Sequence, residues 1–351
     1  KFKYMKILYL KTENPSFKDL SYYDSITDAP IRNDFMHDTL LIGLRNNFGN
    51  DVVDYPGAWY MYPEEIKKRA NITGEEFFGK LFTLYDSLEN YNSIDREDVK
   101  NKIKKNFFDL IIYGSIRGKN IFLEEAINSK TKIIFVDTSD DGFLDESKIN
   151  KGLYFKRELY SSKKIVYPIH FAIPKKKIIS SINIRPKNVL SPLIPGRMKT
   201  YIYEKENKYY NMYQNSIFSL TYRKTGWDCL RHYEILANGS IPMFLGLDDC
   251  PTNTLTNLPK KKLLEMLTLY SNIFVHYNPF HIYKKRFRNF KNFFYFTINI
   301  YKKLPNSFDF VEKNPEINQL RNHLLEFTKN NLTSEKLGEY LINGSRIFFK
   351  G

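Results

Sequence analysis

The sequence has little cysteine, few histidines and no long uncharged apolar run. Cys229 and Cys250 have neither the count nor the spacing of a disulfide framework or a zinc site, so reduced thiols in a cytoplasmic-type compartment are expected. No stretch of about 18 apolar residues occurs, which argues against a membrane-spanning helix, and Lys1 to Leu10 reads as a short strand rather than a signal peptide. A soluble protein is expected. Internal repeats and low-complexity linkers are missing too. Acid is the scarcer charge: 39 Asp and Glu stand against 54 Lys and Arg, leaving +15. That excess favours anionic partners such as nucleotide phosphates, acidic glycans, nucleic acid or anionic lipid heads. Charge alone does not choose among them, because blocks such as Lys175 to Lys177 and Lys260 to Lys262 read as solvated surface. The sequons Asn71-Ile72-Thr73 and Asn331-Leu332-Thr333 arise easily in an Asn-rich chain and do not argue for secretion.

What the chain does have is core material: 42% hydrophobic residues, with 28 Phe and 26 Tyr. Its 351 residues fit two α/β domains of roughly 150 residues each. Met5 to Leu10 reads as a buried strand, Phe35 to Phe48 as a helix closed by Gly49, and Asp51 to Tyr55 as the next strand. The rhythm continues with a helix around Glu75 to Leu88, a strand at Phe108 to Tyr113, a helix at Asn120 to Ser129 and a strand at Lys132 to Val136. Continuously apolar strands alternating with helices indicate a parallel sheet covered on both faces. This predicts a first Rossmann-like half over residues 1–180. Pro-punctuated segments at Ile165 to Pro174 and Ile184 to Pro186 read as a hinge. A second half over 181–351 follows, with a strand at Asn188 to Leu193, a long polar helix from Met198 to Asn215 and a strand at Ile217 to Thr221. A helix from Asp228 to Asn238 and a strand at Ile241 to Leu245 continue it. Helices near Leu263 to Leu269, Ile282 to Lys302 and Ile317 to Asn330 complete it, this C-terminal tail being expected to cross back to the first domain.

The segment from Thr221 to Glu234 runs from a strand end through a basic loop into a helix, and strand ends in open α/β sheets face the ligand crevice. Asp228 reads as the N-cap, and the free N–H groups of the new helix attract an anion. Arg223, Lys224 and Arg231 add positive charge suited to a diphosphate, while Thr225, Gly226 and Trp227 shape the loop between them. Glu234, one turn after Arg231, suits the two ribose hydroxyls of a nucleotide; the plain alternative is an exposed ion pair with Arg231. Ala237-Asn238-Gly239 closes the helix with glycine.

The run Gly226-Trp227-Asp228-Cys229-Leu230-Arg231-His232-Tyr233-Glu234, followed by Ala237-Asn238-Gly239-Ser240-Ile241-Pro242-Met243-Phe244-Leu245, resembles the donor-site signature of exostosin-like GT-B glycosyltransferases. The resemblance covers about 30 residues. It implies a fold of two Rossmann-like domains facing each other across a cleft, a nucleotide-diphosphate sugar donor with UDP favoured, and a glycan or other hydroxyl acceptor. It implies Arg231 on the phosphates and Glu234 on the ribose. Gly196 and Arg197 match the place where such folds bring a backbone turn and a cation toward the diphosphate.

An inverting transfer needs a general base, a carboxylate or His at a strand end. Asp140 is the first candidate, then Asp137 and Asp141, in the loop after the strand ending at Val136; neighbouring carboxylates raise one another's pKa. The alternative is an Asp-rich turn holding local N–H groups. Asp38, with His37, is the outside candidate, and His170 reads as a core histidine. A metal-dependent GT-A reading of Asp-x-x-Asp ranks lower, since the basic helix already offsets phosphate charge; no metal and no cofactor beyond the donor are expected. The competing class is a basic nucleic-acid binder, motivated by Tyr283 to Phe290, or a membrane-surface helix over the same residues. Phe287, Phe290, Phe293 and Phe294 recur at helical spacing there, which reads as a buried face, so nucleic acid is not the expected partner.

Overall fold

The computed structural model describes residues 5–11, 34–68, 80, 82–161, 165–270 and 304–350, without the side chains of 346–350. The basic-aromatic segment from Ile282 to Lys302 and the sequon at Asn71 lie outside the described residues. The chain divides into two compact units, one gathering Lys1–Lys177, Pro251–Thr256 and Leu332–Gly351, the other Ile178–Cys250 and Asn257–Asn331.

The first unit is built on strands β1 (Ile7–Leu10), β2 (Val52–Tyr55), β3 (Leu110–Tyr113), β4 (Lys132–Asp137), β5 (Leu153–Lys156) and β6 (Val166–Pro168). They pair in the order β2-β1-β3-β4-β5-β6, every pair parallel, with Leu10 level with Tyr55 on one side and Tyr113 on the other. Strands buried on both faces explain their near-continuous Ile, Leu, Val and aromatic sequence. The strand order turns about β1 and β3, so the ligand crevice of such a sheet belongs at their carboxyl ends. Helix α1 (Phe35–Phe48) starts where Asp34 Oδ1 accepts from the N–H groups of Met36 and His37, and stops at Gly49, whose φ is +56°. Short helices α2 (Pro63–Lys67), α3 (Val99–Lys104), α4 (Leu123–Asn128) and α5 (Glu146–Ile149) connect the strands.

In the second unit β7 (Asn188–Leu190), β8 (Ser216–Tyr222) and β9 (Ile241–Leu245) form a parallel sheet with β8 central. Helices α6 (Glu206–Gln214), α7 (Leu230–Ala237), α8 (Lys260–Leu269), α9 (Ser307–Lys313) and α10 (Glu316–Asn331) belong to it. Gly239, φ +70°, turns the chain out of α7. The fully buried Arg321 of α10 secures that turn by donating from Nε to the Gly239 carbonyl at 2.7 Å and from Nη1 to the Asn183 carbonyl at 2.8 Å. Helix α11 (Ser334–Lys350) returns to the first unit and packs on α1. Gly43 and Gly338 make that crossing close: a Cβ on Gly43 would stand 1.8 Å from the Ser334 carbonyl oxygen. Among the described residues no helix is long and apolar enough to cross a membrane.

Four sequence expectations are corrected. The helix expected from Glu75 to Leu88 is absent over its described part, where Thr83 and Asp86 take φ of +81° and +56°, values an L-residue in a helix does not adopt. The segment expected as hinge from Ile165 contains β6, and its Pro168 is tolerated because β6 is an edge strand. The long helix expected from Met198 to Asn215 is a short 3-10 turn at Met198–Thr200 and then α6, with Tyr201 between them tied to the preceding loop by the Gly196 N–H. Helix α7 begins at Leu230, with Cys229 rather than Asp228 in the cap position and no side chain capping it.

Candidate functional site

The site of the second unit is assembled at the carboxyl ends of β7 and β8. After β8 the chain passes through Arg223, Lys224 and Thr225, all exposed, and then Gly226, Trp227 and Asp228, all buried. His232, on the first turn of α7, fixes the path of this loop. Its Nε2–H donates to the Trp227 carbonyl at 2.9 Å, which leaves Nδ1 to accept from Thr221 Oγ1 at 3.0 Å. Burial pushes the His232 pKa down to about 3, so the ring stays neutral and keeps this donor and acceptor arrangement. The Arg223 guanidinium lies over the Trp227 ring, 5.2 Å from its centroid.

Arg231 and the loop after β7 come together through an aromatic that the sequence reading did not single out. Arg231 Nη2 donates to Tyr201 Oη at 3.0 Å, and the Gly196 N–H donates to the same oxygen at 3.1 Å. Gly196 has φ +77°, the left-handed region in which glycine carries no Cβ penalty. The loop carrying Arg197 is further tied by Tyr222 Oη, which donates to the Pro195 carbonyl at 2.8 Å, and by Thr200 Oγ1, bonded to Ile194 and Arg197. Glu234 is buried, and its Oε2 accepts from Tyr209 Oη at 2.7 Å; Tyr209 in turn shares a hydrogen bond of 3.0 Å with Tyr213. Burial first and the Glu234 charge second push the Tyr209 phenol well up, so it stays a proton donor to the carboxylate.

No family model matches the chain, and no curated protein sequence matches it. Among solved structures, it is similar to an α-glucosyltransferase in complex with UDP and a 13-mer DNA containing an HMU base, with 11% sequence identity and a TM-score of 0.42 over 97% of this chain and 99% of that one.

In the first unit the loop after β4 is an ion-pair network. Asp137 Oδ2 accepts from Tyr154 Oη at 2.6 Å and lies 3.0 Å from the Nζ of Lys156, while Oδ1 accepts from Ser139. Asp140 pairs with Arg157, whose guanidinium also donates twice to the Thr138 carbonyl. Asp141 accepts from the Phe143 N–H at 2.9 Å and lies 3.8 Å from Lys156 Nζ. Lys156 and Arg157 are both buried. Two buried cations, Lys156 at the end of β5 and Arg157 just after it, therefore stand beside the three carboxylates, on and after a strand the sequence reading did not assign.

Asp38 lies elsewhere, at the β1 and β3 ends. Its Oδ1 accepts from Tyr60 Oη at 2.6 Å and lies 3.0 Å from His37 Nδ1, while Lys11 Nζ is 3.2 Å from Tyr60 Oη. Tyr9 Oη donates to the His37 carbonyl at 2.8 Å, and Asp34, which caps α1, accepts from Thr138 Oγ1 at 2.5 Å. His37 is thus buried inside a polar cluster. His170 is a core histidine: it donates from Nδ1 to the Phe171 carbonyl at 2.6 Å, and burial lowers its pKa to about 4. Among the described residues no three His, Cys, Asp or Glu side chains converge as a metal-ligand set.

Proposed function

We propose that this chain transfers a sugar from a nucleotide-diphosphate sugar, UDP-sugar favoured, to the hydroxyl of a glycan or similar acceptor, with inversion and without a metal. The observation that carries the reading is the joining of Gly196 and Arg231 on one tyrosine oxygen, which sets two separate basic segments side by side at the carboxyl ends of parallel strands. Arg231, Arg197, Arg223 and Lys224 are assigned to the diphosphate. Glu234, with Oε2 already holding Tyr209, is assigned to the ribose. Fixed cations and the N–H groups of α7 then stabilise the leaving diphosphate as charge develops on it. The general base is assigned to Asp140, with Asp137, Asp141 and Asp38 behind it. Asp140 is the more accessible of the first two, its side chain 44% exposed against 6% for Asp137.

The test is a hydrolysis screen across UDP-, GDP-, TDP- and CMP-sugars, with and without chelator. Turnover of one donor that survives chelator supports the reading; turnover abolished by chelator and restored by manganese replaces it with a metal-dependent one. Asn at the base position should lower kcat by about 10²–10⁴-fold while donor affinity stays nearly unchanged. Normal turnover in all four Asn variants removes the carboxylate assignment. The solved α-glucosyltransferase was captured with DNA. A thermal shift with duplex DNA at moderate salt shows whether this chain, at a net charge of +15, takes a nucleic acid partner as well.

A further inference from the structure

Tyr201 stands where three segments meet. Its hydroxyl oxygen accepts from the Gly196 N–H at 3.1 Å and from Arg231 Nη2 at 3.0 Å. A phenol oxygen has two acceptor positions and one proton, so both acceptor positions are in use and the proton is left to donate. Among the described residues nothing accepts it. The ring is half-buried beneath Arg231, whose guanidinium carbon lies 5.5 Å from the ring centroid, and Arg231 Nε is buried without a hydrogen-bond partner. An O–H that lacks an acceptor beside a guanidinium charge suits an anion, whereas a neutral hydroxyl leaves the charge of Arg231 unanswered. The loop that carries Gly196 is already tied down by Tyr222 and Thr200, so the proton's direction is set before any ligand arrives.

We propose that the Tyr201 hydroxyl donates to an oxygen of the donor's diphosphate beside Arg231, and so recognises the leaving group; this rests on the nucleotide-sugar reading given above. Tyr201 acts by hydrogen bonding alone. As the bond from the sugar's anomeric carbon to the diphosphate oxygen breaks, the electron pair goes to the diphosphate, and the hydrogen bond from Tyr201 strengthens with the growing charge.

The experiment compares the whole chain carrying Tyr, Phe or 3-fluorotyrosine at position 201, by calorimetry with UDP, GDP and TDP, at a pH where the phenols stay protonated. Tyr201→Phe is expected to weaken the best of the three nucleotides by about tenfold to a hundredfold. Ring fluorination makes the phenol a stronger donor and a weaker acceptor, so the fluorinated chain is expected to bind that nucleotide with a lower Kd. An unchanged or higher Kd in the fluorinated chain means that Tyr201 only props Gly196 and Arg231, which overturns the inference and leaves the donor reading standing. Wild-type affinity in Tyr201→Phe overturns it as well. Fluorotyrosine keeps the shape of the residue and decides the matter where the Phe chain does not fold. A wild-type chain that binds none of the three nucleotides removes the donor reading and this inference with it.

Discussion

Arg231 and Glu234 sit one turn apart, yet each is bonded to a tyrosine from α6 or the segment before it, and this separates the consequences of removing them. Arg231→Ala is expected to weaken nucleotide-diphosphate binding by about 1.5–3 kcal/mol, the worth of a charge-assisted hydrogen bond. Glu234→Ala should do the same and should also destabilise the fold, because it removes the buried hydrogen bond that Tyr209 donates to a carboxylate, worth about 1.5–3 kcal/mol. Calorimetry reads the first effect and urea denaturation the second; full affinity in both variants removes the donor-site assignment. A second residue-scale prediction comes from His232 and His170, held neutral by burial with pKa values of about 3 and about 4. Both lie below the ordinary histidine value of 6.5. Below that pH the unfolded chain takes up protons that the folded chain refuses. Stability therefore falls as pH drops from about 6.5 toward 4, by up to about 1.4 kcal/mol per pH unit for each ring. Urea midpoints at pH 7 and pH 5 measure this, and His232→Gln is expected to flatten the slope. These residues divide by how their signals appear in sequence. Arg231 and Glu234 stand out in the sequence because a strand end, a basic loop and a helix start follow one another along the chain, whereas Gly196 stands out only through the family resemblance. Tyr201 and Tyr209 do not, because a tyrosine in a polar stretch gives no sign of what its hydroxyl will meet. Lys156 and Arg157 were missed for the same kind of reason, since ion pairing across neighbouring strands has no local pattern.

At the scale of elements, α1 was readable from end to end, because its apolar spacing is bracketed by Asp34 and Gly49. β8 and β9 were readable from their apolar runs. β5 was not: it ends in Lys156 and is followed by Arg157, buried cations that their ion pairs allow. The helix α11 carries Gly338 and Gly344 in its interior, both poor helix formers, and the reading of the tail stopped short of it. Packing requires Gly338, whose added Cβ would stand 3.0 Å from the Gly43 backbone, but not Gly344, which differs from Gly43 in what it tolerates. Gly43→Ala drives a methyl into the Ser334 backbone and is expected to cost at least the roughly 1–3 kcal/mol of ordinary overpacking. Gly344→Ala places its Cβ 3.4 Å from the Phe155 ring, an ordinary contact, and gains helix propensity of up to about 1 kcal/mol. Denaturation midpoints of the two variants should move in opposite directions; a shared direction would mean that α1 and α11 do not meet as described.

At the scale of the whole molecule, the first unit is discontinuous in sequence: the chain leaves it at Lys177 and returns to stay at Leu332. Ending the chain after Asn331 removes α11 and is expected to uncover α1, whose residues from Met36 to Arg45 are buried in the complete chain. Limited proteolysis should then cut between residues 34 and 49 while the segment from Ile178 to Cys250 resists; equal resistance of α1 in both chains would show that α11 does not protect it. The same discontinuity sets an order on biosynthesis. On the ribosome β1 through β6 emerge first, but the face of α1 has no partner until more than the whole of the second unit has been translated. The second unit lacks only the short Pro251–Thr256 excursion from its own continuity and is free to close earlier. Codon choice and translation pauses between Ile178 and Asn331 therefore govern how long an apolar helix face waits bare in the cell, and with it the chain's demand for chaperones.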